Sequence, residues 1–204
     1  RAYDLVPGPE ILSNQTKLSE WQAGIDETNE TRSISLKYSP ESFNLLNRNY
    51  HPPNDKDILL LIPCSQEKPY SDSRTHSVLF DKLGARTDRI HKVTISGMYG
   101  PVPEEFENEP AVMEYDYLLA KEDEDQISLV TERVTSYLNN FGDEYEGIVG
   151  YVTSRTYRTV IEDAIEAYGR GTVLPRNPQY LQLTEFFRNS NIQELLDYVD
   201  VPRN

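Results

Sequence analysis

From residue 57 onward the apolar positions recur at spacings that alternate between strand and helix. Ile58-Leu59-Leu60-Leu61-Ile62 is an unbroken apolar run of strand length, which predicts a strand covered on both faces. Residues 77–83 place Val78, Leu79, Phe80 and Leu83 at helical spacing, and residues 92–96, with Val93 and Ile95, form a second strand. The clearest helix spans 126–140, where Ile127, Val130, Val134, Tyr137 and Leu138 make one stripe and Gly142 supplies the stop. Ile148, Val149, Tyr151 and Val152 predict a third buried strand. A helix over 154–168 follows, with Val160, Ile161, Ala164, Ile165 and Tyr168 on one face and Gly169 at its end. Thr172-Val173-Leu174 is a short fourth strand before Pro175, and two helices near 179–188 and 191–199 close the chain.

Alternating strands and helices with buried strands predict an α/β fold. The expected architecture is a three-layer sandwich with a mostly parallel central sheet flanked by helices. Residues 1–56 follow another regime: they are polar, lack periodic apolar positions and end in the turn signal His51-Pro52-Pro53-Asn54-Asp55. The expected organisation is an extended N-terminal arm or linker over 1–56, with one short helix at 42–49, followed by an α/β core domain over 57–204. In open parallel sheets ligands bind beyond the carboxyl ends of the strands. That rule selects three loops, at 63–76, 97–103 and 153–158. No GxGxxG or P-loop pattern occurs.

Composition narrows the function classes. A chain of 204 residues is long enough for a core without staples. It has no apolar stretch long enough for a membrane span. Its one cysteine, Cys64, excludes an internal disulfide framework and a zinc knuckle built from its own thiolates. A cytoplasmic setting is expected, with no metal site and no cofactor. The charge balance is −14, from 34 acidic against 20 basic residues, the opposite sign to that of a free-standing nucleic-acid binder. Two explanations stand: an acidic soluble protein that binds no polyanion, or adaptation to molar salt, where the Debye length falls to about 3 Å. The excess of Arg over Lys and the run Glu122-Asp123-Glu124-Asp125 suit the second. Asn14 and Asn29 match the glycosylation pattern, which carries little weight without a secretion signal. Residue 1 is Arg, so the chain is read as a piece of a longer protein.

The loop after the first strand concentrates the chemistry. Cys64 lies directly beyond the apolar run, Lys68 and Arg74 are close in sequence, and His76 opens the next helix. A cation, a histidine or a helix N-terminus can each turn a thiol into a nucleophile. Ser65, Tyr70 and Ser73 add hydroxyls suited to a polar heterocycle or a phosphate. The bland alternative makes Cys64 a small buried hydrophobe and His76 a helix-capping residue. In the second loop Gly97 and Gly100 either form turns or let a ligand approach closely. Asp116, between Tyr115 and Tyr117, is equally an orienting base and part of an ordinary acidic surface strand.

The spacing of Pro63, Cys64, Lys68, Pro69, Tyr70, Ser73 and His76 resembles the core domain of archaeosine synthase, the archaeal relative of tRNA-guanine transglycosylase. The loop 97–105 and the segment from Pro110 and Ala111 to Tyr115 and Asp116 also resemble it. The likeness covers roughly residues 57–165. It implies tRNA modification: an amine is added to the nitrile of 7-cyano-7-deazaguanine carried by tRNA. The implied partners are tRNA, an amino-acid amine donor, and a PUA domain and a transglycosylase-like domain in the full-length protein. On residue chemistry the candidate catalytic groups are Cys64, Lys68, His76 and Asp116. Cys64 would add to the nitrile carbon, His76 or Lys68 would supply the proton, and Asp116 would deprotonate the amine. Ser65, Tyr70, Ser73, Gly97 and Gly100 are the candidate substrate-binding residues. The competing reading is a non-catalytic tRNA-recognition or scaffold domain, with Lys68, Arg155, Arg158, Arg170 and Arg176 as a basic patch. A third keeps the enzyme but makes its substrate a modified base in DNA.

Overall fold

In a computed structural model the described residues are 37–202. Residues 39–202 form one compact unit. Its five-stranded sheet has the order β3-β2-β1-β4-β5. Strand β1 (Ile58–Pro63) is central. It pairs in parallel with β2 (Ile90–Ser96) on one side and β4 (Gly147–Tyr151) on the other. Strand β5 (Thr172–Leu174) extends the parallel set, and β3 (Gly100–Pro103) pairs antiparallel with β2. Ile58 to Ile62 are all 0% exposed, as an apolar run at the centre of a covered sheet requires.

Side chains alternate across β1, so its two faces meet different helices. Ile58, Leu60 and Ile62 join Leu79 and Leu83 of α1 (Arg74–Leu83) and Ile192, Leu195 and Val199 of α6 (Asn189–Asp200). The opposite face is covered by α3 (Glu124–Phe141) and α4 (Arg155–Tyr168), which pack on each other. A Cβ at Gly150 would lie 2.5 Å from Ile161 Cγ2, so this glycine lets α4 approach the sheet. Each fully buried aliphatic side chain in these layers contributes about 1.5–3 kcal/mol. The expected three-layer α/β sandwich is what forms.

The departures from sequence expectation are local. The 97–103 loop is only partly a loop, because Gly100–Pro103 pairs with β2 through Val93↔Pro103 and Ser96↔Gly100. Prolines fit that strand because it is a sheet edge. The segment around Asp116, for which a surface strand is one of two readings from the sequence, first forms α2 (Pro110–Glu114), with Pro110 in its first turn, before it becomes extended. The helix expected over 179–188 shortens to α5 (Leu183–Phe186).

Residues 39–56 are packed as part of the compact unit. The helix expected over 42–49 is replaced by two 3-10 turns, Pro40–Ser42 and Leu45–Asn47. Phe43, Leu45 and Tyr50 are buried. Arg133 of α3, 5% exposed, donates to the carbonyls of Pro40, Phe43 and Tyr99 and pairs with Glu41 at 2.8 Å. A chain without helical periodicity is thus held by a guanidinium fork and aromatic anchors. Asn14 and Asn29 lie outside the described residues.

Candidate functional site

Chain connections leave β1 and β4 in opposite directions: β1 leads through α1 to β2, and β4 through α4 to β5. Their carboxyl ends therefore flank the topological switch point, where open α/β sheets bind ligands. A cavity of about 350 Å³ lies there. It is bordered by Cys64 and Lys68 beyond β1, Thr153, Ser154 and Tyr157 beyond β4, and residues 115–118 beyond α2.

Cys64 continues the strand geometry, its N–H donating to the Ile95 carbonyl at 3.0 Å. Its side chain is half-buried and borders the cavity. Its sulfur lies 3.1 Å from the Tyr157 hydroxyl. Three elements converge on that hydroxyl. Besides the sulfur, a backbone hydrogen bond from Leu119 reaches it, and a Cβ at Gly97 would stand 2.7 Å away. Burial, with the Cys64 charge next, raises the Tyr157 pKa, so the phenol stays protonated at neutral pH.

Lys68 donates to the Tyr115 carbonyl and rests 3.2 Å above the Tyr115 ring. Desolvation lowers its pKa, while the nearby Cys64 and Asp116 oppose that shift. Tyr115 is itself held from below: its hydroxyl meets Tyr70 at 2.7 Å and accepts from Ser96 at 2.9 Å. Asp116 is exposed at the cavity. The structure therefore brings Cys64, Lys68, Asp116 and Ser65 to one cavity, and Ser65 also braces its own loop by donating to the Glu67 carbonyl at 2.7 Å.

The other candidates lie elsewhere. His76 is 1% exposed and does not border the cavity; its Nε2 meets the Pro63 carbonyl at 3.0 Å. Burial lowers its pKa to about 4, so the ring is neutral at pH 7 and Nε2 carries the proton donated to Pro63. It is placed to hold the end of β1 rather than to protonate a ligand. Ser73 caps α1, accepting the His76 N–H at 3.3 Å, and Tyr70 is fully buried behind Tyr115. Gly97 backs onto Tyr157, and Gly100, at φ 78°, fits against Arg133 of α3. Of the proposed basic patch, Arg158 is spent on the Val152 and Pro175 carbonyls and Glu162, and Arg170 on the carbonyls of Gly142, Tyr145 and Glu146. These two arginines hold the fold together.

Sequence reasoning marked the 153–158 loop but did not single out Tyr157. The switch-point rule was the available signal; that the phenol lies against Cys64, 93 positions away, is a tertiary fact. Among the described residues no cluster of three or more His, Cys, Asp or Glu side chains is arranged to hold a metal ion. No helix there is long and apolar enough to cross a membrane.

A family model described as a domain of unknown function, DUF5591, matches residues 42–180. The chain belongs to this family. DUF5591 here carries the archaeosine synthase likeness that the Cys64 motif announced. The chain is 35% identical over 121 residues to archaeosine synthase subunit alpha of Methanosarcina acetivorans, covering 59% of this chain and 19% of that protein. It is 39% identical over 62 residues to the subunit alpha of Thermococcus kodakarensis, covering 28% and 11%. Against the archaeosine synthase of Haloferax volcanii it is 30% identical over 105 residues, covering 51% and 17%. The chain thus spans less than a fifth of the length of these three relatives. A crystal structure titled as that of AF0587, a protein of unknown function, shares the fold. Its TM-score is 0.53 at 24% identity, over 72% of this chain and 46% of that one.

Proposed function

We propose that this DUF5591 chain is the nitrile-amidating core of an archaeosine synthase-like enzyme, acting on 7-cyano-7-deazaguanine in tRNA. The observation that carries the reading is the Cys64 sulfur bordering the switch-point cavity with a protonated phenol 3.1 Å away. The names of the curated relatives support the tRNA-modifying context.

Nitriles are weak electrophiles until their nitrogen is protonated or hydrogen-bonded as charge develops. In the proposed first step the sulfur bonds to the nitrile carbon and the nitrile becomes a thioimidate. The thiol proton passes to the Tyr157 oxygen while the phenol proton passes to the nitrile nitrogen, so no charge is created in the half-buried cavity. In the second step the donor amine bonds to the same carbon and the C–S bond breaks. One amine proton returns to sulfur, and the amidine remains. Asp116, at the cavity, is suited to draw a proton from the incoming ammonium. Lys68, clamped by Tyr115, steadies the sulfur as the C–S bond breaks in the second step. In this reading Tyr157 takes the acid role expected of His76 or Lys68, and His76 positions the β1 end that presents Cys64. A tRNA-holding surface would come from further regions, such as the PUA and transglycosylase-like domains the resemblance implies.

The test is mass analysis of nitrile-bearing tRNA incubated with the chain and candidate amino acids, with the full-length protein in parallel. Amidine formed by wild type and abolished in Cys64→Ala is expected. Full activity in Cys64→Ala would exclude the covalent route.

A further inference from the structure

The cavity that Cys64 borders is walled mostly by apolar groups, and part of that wall stands in solvent. Its volume of about 350 Å³ is near the small end of the roughly 300–1,000 Å³ usual for ligand sites. Two leucines line it while largely exposed, Leu118 at 64% and Leu183 at 62%. Tyr180 and Leu181, also exposed, continue the apolar surface along the chain ahead of Leu183. The other exposed large hydrophobics among the described residues are Leu46 and Val201. Single exposed leucines need no explanation, but a cluster at the mouth of a cavity marks a binding surface. The two leucines reach the cavity from different sides of the sheet. Leu183 opens α5, whose Phe186 packs in the core with α1 and α6. Leu118 precedes Leu119, whose backbone meets Tyr157 of α4 on the opposite face. Both are carried on anchored backbone. The Tyr117 hydroxyl donates to Asp123, the N-cap of α3, and Tyr115 is braced by Tyr70 and Ser96. On the other side the Phe186 carbonyl accepts from Tyr151 at 2.8 Å, and the Glu185 carbonyl from Asn191 at 2.9 Å.

We propose that Leu118 and Leu183 form a clasp over the two faces of one planar nucleobase, unstacked from its neighbours, and so set the specificity of the cavity for a single flat heterocycle. The clasp rests on the reading of the cavity as an amidating site and deepens it by naming what holds the ring. A nitrile lies in the plane of the ring that carries it, so a ring delivering that group to Cys64 enters edge first. Its edge then meets the polar lining groups, and its two faces require apolar cover. Those faces are free only when the base is out of its stack, because a base within a duplex is covered by its neighbours. Branched aliphatic side chains suit any flat ring, while the cavity volume limits the occupant to one.

The experiment reads binding without chemistry, using 7-deazaguanosine, which carries no nitrile. It is titrated into the chain with isotopically labelled leucine methyls, followed by NMR, with ribose as the ringless control. Methyl groups above a ring face are shielded and those at its edge deshielded, so saturable upfield shifts at both Leu118 and Leu183 are expected. Leu118→Ala and Leu183→Ala should each weaken binding about tenfold, the loss that follows when most of a leucine side chain leaves an apolar contact. Leu183→Met, with a flexible side chain of similar volume, should restore most of the affinity. Both alanine variants should unfold at the wild-type midpoint, because both side chains are exposed in the free protein. An oligoribonucleotide carrying 7-deazaguanosine should bind as a single strand, and about tenfold more weakly or worse once annealed to its complement. Methyl shifts that are absent, downfield or matched by ribose overturn the proposal. So do affinities unchanged in both alanine variants, or equal binding of single strand and duplex. Intact upfield shifts beside absent amidine formation would sink the functional reading and leave the clasp standing.

Discussion

The hydroxyl of Tyr157, on the first turn of α4, lies 3.1 Å from the sulfur of Cys64 at the end of β1. Two adjacent parallel strands end there, and each delivers one half of the proposed nucleophile–acid pair. Tyr157→Phe removes the phenol proton and keeps the ring. Amidine formation should fall by about 100-fold or more, the usual contribution of a positioned acid. The fold should survive with a loss of about 1–3 kcal/mol, because the Leu119 N–H loses its acceptor. A variant with full activity would take Tyr157 out of the chemistry.

Gly97 makes room for that hydroxyl. A Cβ there would meet the Tyr157 oxygen at 2.7 Å and Leu119 Cβ at 2.9 Å. Gly97→Ala should cost about 1–3 kcal/mol in urea denaturation and lower the activity as well. In a Tyr157→Phe background the stability cost should shrink, since one of the two clashes is gone, while the Leu119 clash persists. Equal costs in both backgrounds would show that the hydroxyl and the glycine are not coupled.

His76 predicts a pH dependence of stability. Burial depresses its imidazole to about 4, whereas in the unfolded chain it titrates near 6.5. Below pH 6.5 the unfolded chain takes up a proton that the folded chain refuses. Stability from this group is therefore complete above about pH 6.5 and is lost on acidification, by about 3 kcal/mol at pH 4. His76→Gln keeps an N–H for the Pro63 carbonyl and cannot titrate. Denaturation curves from pH 7 to 4.5 should fall less steeply for the variant. Parallel curves would assign the acid sensitivity wholly to carboxylates.

Arg133 predicts a stability effect confined to one segment. Its guanidinium serves three carbonyls and pairs with Glu41 while 5% exposed. Arg133→Met should cost about 3 kcal/mol through the carbonyls left without donors. Lysine should not rescue it, because a single ammonium cannot reproduce the fork. Hydrogen exchange should speed up first across residues 39–50; uniform acceleration across the sheet would contradict this assignment.

What was legible in the sequence followed from short-range rules. The unbroken run at 58–62 can only be satisfied by a strand covered on both faces, and the stripes over 126–140 and 154–168 by helices with one buried side. The spacing from Pro63 to His76 identified the family and the cavity loop, because strand ends and tight turns restrict residue types locally. The conversion of 100–103 into an edge strand was not legible, since Pro101 and Pro103 argue against a strand unless the partner on one side is known to be absent. The divided fate of the motif was equally hidden. Lys68 reaches the cavity while Tyr70, Ser73 and His76 support it from behind.

The sequence alone settled the alternation of elements, the parallel sheet and the position of the single thiol, because each is encoded in periodicity or in one residue type. Tertiary structure decided which groups meet that thiol. The strand order places β4 beside β1, and that adjacency brings Tyr157, Thr153 and Ser154 to Cys64 across some ninety residues of chain. No local pattern records such a meeting, because side-chain spacing along a chain says nothing about which loop ends lie side by side once the sheet has formed.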